Sequence, residues 1–259
     1  MKVVILCGGK GTRLREETEY RPKPMVPVGN RPILWHIMKT YASYGHTDFV
    51  LCLGYKGDQI KDWFRNYRWM VSDVSLKLGD IENVCFHQHV DERDWTVTLA
   101  DTGEESMTGA RIKRIERYLG DDEEFLLTYG DGVGNVDIAK SVAFHRQTGK
   151  LLTLTGVRPP GRFGELQVSD GMVTTFFEKP QVTGGRINGG YFVANRGVFD
   201  YLDNDPHLVF EQEPLSALSR DGQLACFLHD GFWQPMDTYQ EYLLLNRLWD
   251  EGRAEWKTW

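Results

Sequence analysis

The sequence predicts an α/β fold, in which a mostly parallel β-sheet carries helices on both faces. Short apolar runs rich in β-branched residues alternate with segments of helical periodicity, and this order is typical of strands joined by crossover helices. The chain has 259 residues, of which 41% are hydrophobic and 26% charged, so it can bury a full core. Neither an internal repeat nor a low-complexity segment divides it, and we expect one elaborated domain over residues 1–259.

The first half of the chain sets up this alternation. It predicts strands at 2–7, 48–53 and 124–129 and helices at about 31–44, 57–66 and 109–118. The stretch 67–100 interrupts the order, because 84–90 and 95–100 have the composition of two strands around the polar turn 91–94. We expect these two strands to form an inserted β-hairpin, which makes the fold a Rossmann-like mixed sheet with an insertion.

After residue 150 the chain becomes richer in strands. The pattern predicts strands at 151–157, 165–169, 172–178 and 189–194 and helices at about 196–202, 211–220 and 238–250. Ligands of open α/β sheets bind beyond the carboxyl ends of the strands. Since the glycine-rich stretch 8–13 and Asp131 both follow predicted strands, we expect them to converge on one site.

Bulk properties exclude several kinds of partner. The net charge of −7 argues against a surface for nucleic acid, so any phosphate-binding cations must be concentrated locally. The four cysteines lie far apart without C-x-x-C spacing, which favours reduced thiols over a disulfide or metal site. No apolar run approaches the length of a membrane span, and no cationic leader precedes an apolar core. We therefore expect a cytoplasmic protein with no membrane partner.

The stretch from Gly8 to Arg13, directly after the first predicted strand, has the composition of a phosphate-binding loop. Three glycines within four positions let backbone N–H groups approach a polyphosphate closely, while Lys10, Arg13 and Lys23 supply positive charge. The alternative is a mobile glycine turn between strand and helix. A nucleoside triphosphate is the ligand that this loop favours.

Two familiar glycine motifs do not fit. A dinucleotide-binding fingerprint requires a glycine where Leu14 stands, and an acidic residue where 54–56 follow the second strand. A P-loop requires Ser or Thr after Gly-Lys, but the two Gly-Lys pairs of this chain are followed by Gly11 and Leu151. The sequence encodes neither a dinucleotide site nor a Walker-type NTPase.

Six segments, taken in order, resemble the signature of the sugar-phosphate nucleotidylyltransferase family. They are Gly8-Gly9-x-Gly11-Thr12-Arg13 with Arg21-Pro22-Lys23-Pro24-Met25, Thr128-Tyr129-Gly130-Asp131-Gly132, Pro160-Gly161-Arg162-Phe163-Gly164, Phe177-Glu178-Lys179-Pro180, Ile187-Asn188-Gly189-Gly190 and Gly231-Phe232-Trp233-Gln234-Pro235-Met236-Asp237-Thr238. The resemblance covers nearly the whole chain. It implies an enzyme that joins a nucleoside triphosphate to a sugar 1-phosphate and releases pyrophosphate. It also implies Mg²⁺ as cofactor, a nucleotide-binding half at about 1–150 and a strand-rich sugar-binding portion at about 151–237.

Three further features narrow the resemblance. The segments 101–103 and 107–109 and the ending 256–259 are similar to the members of the family that take CTP and glucose 1-phosphate and form CDP-glucose. A uridylyl or thymidylyl transferase acting on another hexose phosphate stays open. A non-catalytic nucleotide-sugar sensor built on the same fold also stays open.

The resemblance implies four groups of site residues. The catalytic residues are Arg13, Lys23 and Asp131, and the metal ligands are Asp131 and Asp237. The nucleotide contacts are Leu6, Cys7, Gly8, Gly9, Lys10, Gly11, Thr12, Arg13, Lys23, Glu104, Thr108, Gly109, Thr128 and Gly130. The sugar-phosphate contacts are Tyr129, Gly164, Glu178, Lys179, Asn188, Gly190 and Trp233. For Gly164 and Trp233 the alternatives are a bulge glycine and a core tryptophan.

The residue types suit the catalytic and metal roles. Arg13 presents a forked guanidinium to phosphate oxygens, and Lys23, held between two prolines, has a restrained backbone. Asp131 lies between two glycines at a strand end, and with Asp237 it offers the carboxylate oxygens that Mg²⁺ prefers. The alternatives are a turn former for Asp131, a helix N-cap for Asp237 and a solvated lysine for Lys23.

Segment 101–109 is the part that varies with the base in the family. A pocket for cytosine must offer a buried acceptor to the amine that stands where uracil has a carbonyl. Backbone carbonyls near Gly103 and Thr108 and the side chain of Glu104 are all candidates for this acceptor. The sequence leaves the choice among them open.

The inserted region at about 68–98 carries more apolar surface than an insert outside the core readily buries. Its large apolar residues are Trp69, Val71, Phe86 and Trp95. We expect a homo-oligomer that assembles partly through this region. The alternative is that the insert folds onto its own domain.

Overall fold

The computed structural model describes residues 1–88, 90–159, 165–169, 172–177 and 185–259. Its α-helices are α1 (Arg15–Thr18), α2 (Ile33–Ser43), α3 (Gly57–Arg65), α4 (Tyr67–Val71), α5 (Thr108–Arg114), α6 (Ile138–Thr148), α7 (Glu213–Arg220) and α8 (Tyr239–Asp250). Its β-strands are β1 (Val3–Leu6), β2 (Pro27–Val28), β3 (Arg31–Pro32), β4 (Asp48–Leu53), β5 (Val74–Lys77), β6 (Asp80–Phe86), β7 (Thr96–Asp101), β8 (Glu124–Tyr129), β9 (Gly132–Gly134), β10 (Leu152–Val157), β11 (Glu165–Ser169), β12 (Met172–Phe177), β13 (Ile187–Asn195), β14 (Leu224–His229) and β15 (Trp233–Pro235). Short 3₁₀ turns lie at Thr12–Leu14, Lys23–Met25, Glu116–Tyr118 and Arg196–Tyr201.

Seven strands form the central sheet, in the order β14-β10-β13-β8-β1-β4-β7. Neighbouring strands are parallel except for β13, which runs antiparallel to both β8 and β10. Strand β1 consists of four apolar residues that are all buried, as expected for a parallel strand covered on both faces. The predicted α/β class, with a mixed and mostly parallel sheet, is confirmed.

Helices cover both faces of this sheet, because alternate residues of a strand point to opposite sides. Val3 and Ile5 of β1 pack in one core with residues of α2, α3, α6 and α8. Val4 and Leu6 pack in a second core with residues of α5 and α7. The ends of the strands are therefore the places where polar side chains can meet.

Strand β1 lies between β4 on one side and β8 on the other. From β1 the chain runs outward to β4 and β7 and then crosses back to β8, so the loops that follow β1 and β8 leave the sheet in different directions. A reversal of strand order of this kind opens a crevice at the carboxyl ends of the two strands. The two loops stay in contact at its base, where Gly130 N donates to Leu6 O at 3.0 Å.

The predicted hairpin of 84–90 and 95–100 is wrong. The inserted hairpin consists of β5 and β6, which pair antiparallel, while β7 joins the central sheet parallel to β4. Residue alternation identifies a strand but does not identify its partner, and burial decides between the two. Val97 and Leu99 pack against the core beside β4, whereas Leu78 between β5 and β6 is 87% exposed.

The other predicted elements agree with the structure to within two residues at each end. Two of them differ in type, because the predicted helix at 109–118 is α5 followed by a 3₁₀ turn and the predicted helix at 196–202 is a 3₁₀ turn. The longest helix in the described ranges, α8, has 12 residues, and no helix there has the length and apolar character that a membrane span requires.

The C-terminal tail packs against α2 through aromatic rings. Trp256 is buried, and its Nε1 lies 3.4 Å from Nδ1 of the buried His36. On the other side of this ring, His36 Nε2 lies 2.9 Å from the carbonyl oxygen of Val28. Burial lowers the pKa of His36 to about 4, so the neutral ring donates from Nε2 and accepts from Trp256 at Nδ1.

Candidate active site

A cleft of about 740 Å³ opens at the carboxyl edge of the sheet, where β1 and β8 end. Most of the predicted site residues line it: Leu6, Cys7, Gly8, Gly9, Gly11, Thr12, Arg13, Lys23, Thr108, Thr128, Tyr129, Gly130, Asp131, Gly190, Trp233 and Asp237. Three further predicted residues, Gly164, Glu178 and Lys179, lie outside the described residues. The glycine loop and Asp131 therefore converge on one cleft, as the strand order predicts.

A few predicted nucleotide residues lie beside the cleft and not in its lining. Lys10 is exposed and forms an ion pair with Glu105, with 2.8 Å between Nζ and Oε1. The side chain of Glu104 is exposed. Gly109 is buried at the start of α5, where a Cβ would lie 2.7 Å from the side chain of Leu208. Gly109 therefore allows a close packing contact.

Lys23 joins the two predicted metal ligands. Its Nζ donates to Asp131 Oδ2 at 2.7 Å and to Asp237 Oδ1 at 2.5 Å, and its side chain is only 9% exposed. Burial lowers the pKa of Lys23, but the charges and hydrogen bonds of the two carboxylates more than offset this effect and raise the pKa above its usual value. Lys23 is a buried, charged ammonium, and the alternative of a solvated lysine is wrong.

The start of α8 holds Asp237 in position for this contact. Thr238 is the N-cap, and it forms a capping box in which the Glu241 carboxylate accepts from the N–H groups of Thr238 at 2.9 Å and of Asp237 at 2.8 Å. The Asp237 carboxylate instead contacts Lys23 and Arg13, whose Nη1 lies 2.7 Å from Asp237 Oδ2. The alternative of a helix N-cap for Asp237 is therefore wrong.

Asp131 and Asp237 fit a divalent cation by the chemistry of their oxygens. Both carboxylates contact the same ammonium group within 2.7 Å, so they lie close enough to share one cation, and carboxylate oxygen is a donor that Mg²⁺ prefers. In the part of the chain that the structure describes, no group of three or more His, Cys, Asp and Glu side chains forms a metal cage. A metal ion here would complete its coordination with phosphate oxygens and water.

The three glycines of the loop have different structural roles. Gly11 has a φ of 61°, in the left-handed region that favours glycine, and it precedes the 3₁₀ turn Thr12–Leu14. A Cβ on Gly8 would lie 2.2 Å from the guanidinium carbon of Arg111. Gly9 is exposed, and a Cβ there would meet nothing within 4 Å, so its backbone is open to the cleft.

Arg111 of α5 is a cleft residue that the sequence analysis missed. It is 4% exposed, and burial lowers the pKa of its guanidinium. The guanidinium donates to four backbone carbonyls and one hydroxyl: Leu53 O at 3.0 Å, Thr102 Oγ1 at 2.9 Å, Gly103 O at 2.7 Å, Gly8 O at 3.1 Å and Glu104 O at 3.1 Å. Since Gly8 lies 103 positions away in the sequence, no local pattern could reveal this contact.

Glu211 is a second cleft residue that the sequence analysis missed. Its carboxylate accepts from the Tyr129 hydroxyl at 2.5 Å and from Thr108 Oγ1 at 2.6 Å. Burial, together with the charge of Glu211, raises the pKa of Tyr129, so the phenol stays protonated. Two predicted site residues, one assigned to the nucleotide and one to the sugar, are therefore joined by a carboxylate from a distant part of the chain.

Gly190 lines the cleft beside Tyr129, whereas the predicted sugar-phosphate residue Asn188 lies outside the lining and contacts both of these residues. Asn188 Nδ2 donates to the Tyr129 hydroxyl at 3.1 Å, and Asn188 Oδ1 accepts from Gly190 N at 2.9 Å. Gly190 has a φ of 78°, and a Cβ there would lie 2.4 Å from the Tyr129 ring. Trp233 lines the same wall, and its indole N–H donates to Gly189 O at 2.8 Å. Trp233 is thus a wall of the cleft and is not confined to the core.

The fold and the cleft define a class: an α/β protein in which a glycine loop, a buried lysine and paired carboxylates meet in one cleft at the carboxyl ends of the strands. A family model described as nucleotidyl transferase matches residues 2–250, and the chain belongs to this family. The resemblance inferred from the six sequence segments is therefore confirmed.

Two curated relatives match over their full length. The chain is 52% identical to glucose-1-phosphate cytidylyltransferase of Salmonella typhi over 259 residues, which cover 100% of both proteins. It is 45% identical to the probable glucose-1-phosphate cytidylyltransferase of Bacillus subtilis (strain 168), again over 100% of both. Among solved structures, HddC from Yersinia pseudotuberculosis superposes with a TM-score of 0.67 and 23% identity over 96% of this chain and 99% of that one. This last similarity supports the fold alone.

Proposed function

We propose that this protein transfers the cytidylyl group of CTP to glucose 1-phosphate, forming CDP-glucose and pyrophosphate. The observation that carries the proposal is the buried Lys23 between Asp131 and Asp237, in a cleft that also contains the glycine loop. The full-length similarity to glucose-1-phosphate cytidylyltransferases supports this choice of nucleotide and sugar.

In the proposed reaction, an oxygen of the sugar phosphate attacks the α-phosphorus of CTP. A new P–O bond forms, and the bond to the leaving pyrophosphate breaks with its electron pair going to pyrophosphate. The protein must hold two anions in line and balance the charge that develops. We assign this task to Lys23, which its two carboxylates keep charged despite burial, and to Arg13, which is 72% exposed yet ion-paired with Asp237.

Proteins of this family generally use a divalent metal ion, and we propose Mg²⁺ held by Asp131 and Asp237. When bound, the ion withdraws negative charge from phosphate oxygens. The chain itself positions the two carboxylates that would hold the ion. Lys23 donates to both of them, and its positive charge reduces the repulsion between the two negative charges.

We assign the sugar phosphate to the wall formed by Tyr129, Gly190 and Trp233, with Asn188 hydrogen-bonded to Tyr129 next to this wall. The Tyr129 hydroxyl donates its proton to Glu211, so it can accept from a sugar hydroxyl, and the Asn188 amide beside it carries both donors and an acceptor. The contacts assigned to Gly164, Glu178 and Lys179 remain predictions from the sequence. The nucleotide is assigned to the loop that follows β1 and to segment 101–109, with the phosphates toward Lys23.

We propose a cytoplasmic location. All four cysteines of the chain lie in the described ranges and are free thiols, and two of them, Cys85 and Cys226, are exposed. Exposed free thiols suit a reducing compartment.

We also propose a homo-oligomer that assembles through the insertion. Leu78 and Ile81 in the β5–β6 hairpin are 87% and 67% exposed, and Trp69 of α4 is 45% exposed, which is typical of an interface surface. Trp95 is not part of this surface, because its ring packs against Phe49 of the core at 5.1 Å. Light scattering at micromolar concentration should give a mass above the 29.8 kDa of one chain, and a monomeric mass would contradict the proposal.

The test of the proposed reaction is pyrophosphate release over a matrix of nucleoside triphosphates and sugar 1-phosphates. We expect CTP with glucose 1-phosphate to give the highest kcat/KM. Preference for UTP or dTTP would mean that the protein is a uridylyl or thymidylyl transferase. Binding of CTP without turnover on any sugar phosphate would indicate a non-catalytic sensor. Asp121→Asn is a matched control for carboxylate substitutions, because Asp121 is exposed just before β8, at the end of the sheet away from the cleft.

A further inference from the structure

We infer that Arg111 is the positioning residue that makes the cleft selective for its base, by holding segment 101–109 at a fixed distance from the loop after β1. The inference rests on the proposed function, because it concerns the choice of CTP over other nucleotides. It assigns Arg111 no contact with the reacting atoms.

The acceptors of Arg111 belong to three different strand ends. Gly8 follows β1, Leu53 ends β4, and the third group, residues 102–104, follows β7. One planar guanidinium therefore connects the glycine loop with the segment assigned to the base. A lysine at this position would offer three donors from a single atom and could not match so many acceptors in one plane.

The charge of Arg111 is compensated by neutral hydrogen-bond acceptors. The described residues include no carboxylate within ion-pair distance of Arg111, and burial raises the pKa of the adjacent thiols of Cys7 and Cys52, which therefore stay neutral. Burying an unpaired cation is unfavourable unless hydrogen bonds compensate for the lost water. A residue needed only to fill space would not require a charge here, so the five hydrogen bonds are the reason for arginine.

The surrounding backbone is built to admit the guanidinium. A Cβ on Gly8 would lie 2.2 Å from its carbon, and a Cβ on Gly54 would lie 2.4 Å from Nη1. One helical turn further along α5, Arg114 Nη1 donates to Thr102 O at 2.7 Å and to Ser106 Oγ at 2.6 Å. Two arginines of α5 therefore hold segment 101–109, and of these two Arg111 is the one that also contacts the glycine loop.

This arrangement bears on selectivity because bases that differ by one donor and one acceptor are told apart by buried polar groups at fixed positions. Gly8 O accepts from both Arg111 and Tyr55 N, and Gly103 O accepts from Arg111. If the guanidinium is lost, Gly103 O loses this donor and Gly8 O keeps only Tyr55 N, so the direct connection between the two walls is broken and their separation can change. We expect a looser pocket to reduce the preference for CTP over UTP more than it reduces the affinity for the triphosphate.

The main test is Arg111→Lys, assayed for kcat/KM with CTP and with UTP and for the Kd of each nucleotide by calorimetry. We expect the CTP-to-UTP ratio of kcat/KM to fall at least about tenfold, with a matching rise in the CTP-to-UTP ratio of the Kd values. The KM for glucose 1-phosphate should stay within about threefold, because its assigned wall does not touch Arg111. Arg117→Lys is the matched control: Arg117 is exposed, its guanidinium donates among the described residues only to the Tyr118 hydroxyl, and the change should leave the ratio as in wild type.

A second variant keeps the test decisive if Arg111→Lys does not fold. Gly54 does not line the cleft, so Gly54→Ala displaces the guanidinium without touching the nucleotide. We expect it to lower the CTP-to-UTP ratio as well. Gly79→Ala is its control, because a Cβ on Gly79 would meet nothing within 4 Å.

The outcomes separate this inference from the proposed function. A folded Arg111→Lys or Gly54→Ala protein with the wild-type ratio overturns the inference, and so does an equal loss with both nucleotides. If the wild-type protein itself uses UTP as well as CTP, the proposed function is wrong whatever the variants do.

Discussion

The cleft contains two buried cations that are held in opposite ways. Lys23 contacts two carboxylates at 2.5 and 2.7 Å, and they raise its pKa against the effect of burial. Arg111 contacts only carbonyls and one hydroxyl, and burial lowers its pKa. A cation that is paired with carboxylates, such as Lys23, can exchange these partners for the phosphates of a ligand, and its carboxylates can then bind a metal ion. A cation surrounded by carbonyls instead fixes the backbone, because its removal leaves those carbonyls unpaired.

The largest effect should come from the acidic partners of Lys23. We expect Asp131→Asn and Asp237→Asn each to lower turnover by about 10²-fold or more with the fold intact, because each removes a charge that stabilises the transition state through the metal site. Pyrophosphate release at several Mg²⁺ concentrations measures this, and both variants should need more Mg²⁺ for half-maximal rate. A loss of turnover below tenfold for Asp237→Asn would mean that Asp237 is an ion-pair partner of Lys23 and not a metal ligand.

His36 provides a second case of a buried titratable side chain whose hydrogen-bond partners, among the described residues, are a carbonyl and an indole N–H and not an acid. Its pKa falls from an ordinary 6.5 to about 4, so the folded state favours the neutral ring. The resulting stability is complete above pH 6.5 and is lost as pH falls toward 4, by roughly 3 kcal/mol at most. Thermal unfolding across this range should show a steeper loss for wild type than for His36→Gln, which keeps a donor for Val28 O. Parallel curves would mean that His36 is protonated without cost.

Glu211 tests the connection between the two substrate walls. We expect Glu211→Gln to lower kcat/KM about tenfold, because one of its two short hydrogen bonds is lost and the other no longer involves a charge. Both KM values should rise, since Thr108 and Tyr129 are assigned to different substrates. Glu213→Gln is the matched control, because Glu213 is exposed and its ion pair within the described part of the chain is with Arg220, away from the cleft lining. A rise in only one KM would place Glu211 with that substrate alone.

The smallest effect should come from Glu105, whose ion pair with Lys10 connects the glycine loop to segment 101–109 at the surface. We expect Glu105→Gln to leave the CTP-to-UTP ratio within about twofold, because solvent weakens an exposed pair. The same steady-state assay measures it. If the CTP-to-UTP ratio fell as far as in Arg111→Lys, an exposed ion pair between the two walls would matter as much for base selectivity as the buried Arg111.

The sequence was informative wherever a feature is local. Strand β1 and the glycine loop after it form one continuous run, so the apolar pattern and the spacing of glycines predict both. The same holds for Asp131, which directly follows β8. The hairpin was predicted wrongly because alternation identifies strands without their partners, and only the packing of Val97 and Leu99 beside β4 assigns β7 to the central sheet.

The sequence by itself determined the α/β class, the position of the glycine loop after β1 and the acidic and basic residues that meet in the cleft. Only the tertiary structure decided how those residues are held. It assigned the N-cap of α8 to Thr238, which directs Asp237 to Lys23, and it brought Arg111 and Glu211 into the cleft from distant parts of the chain. The physical reason is that a residue's neighbours along the chain set its backbone conformation, whereas burial and hydrogen bonding depend on groups that only folding brings together.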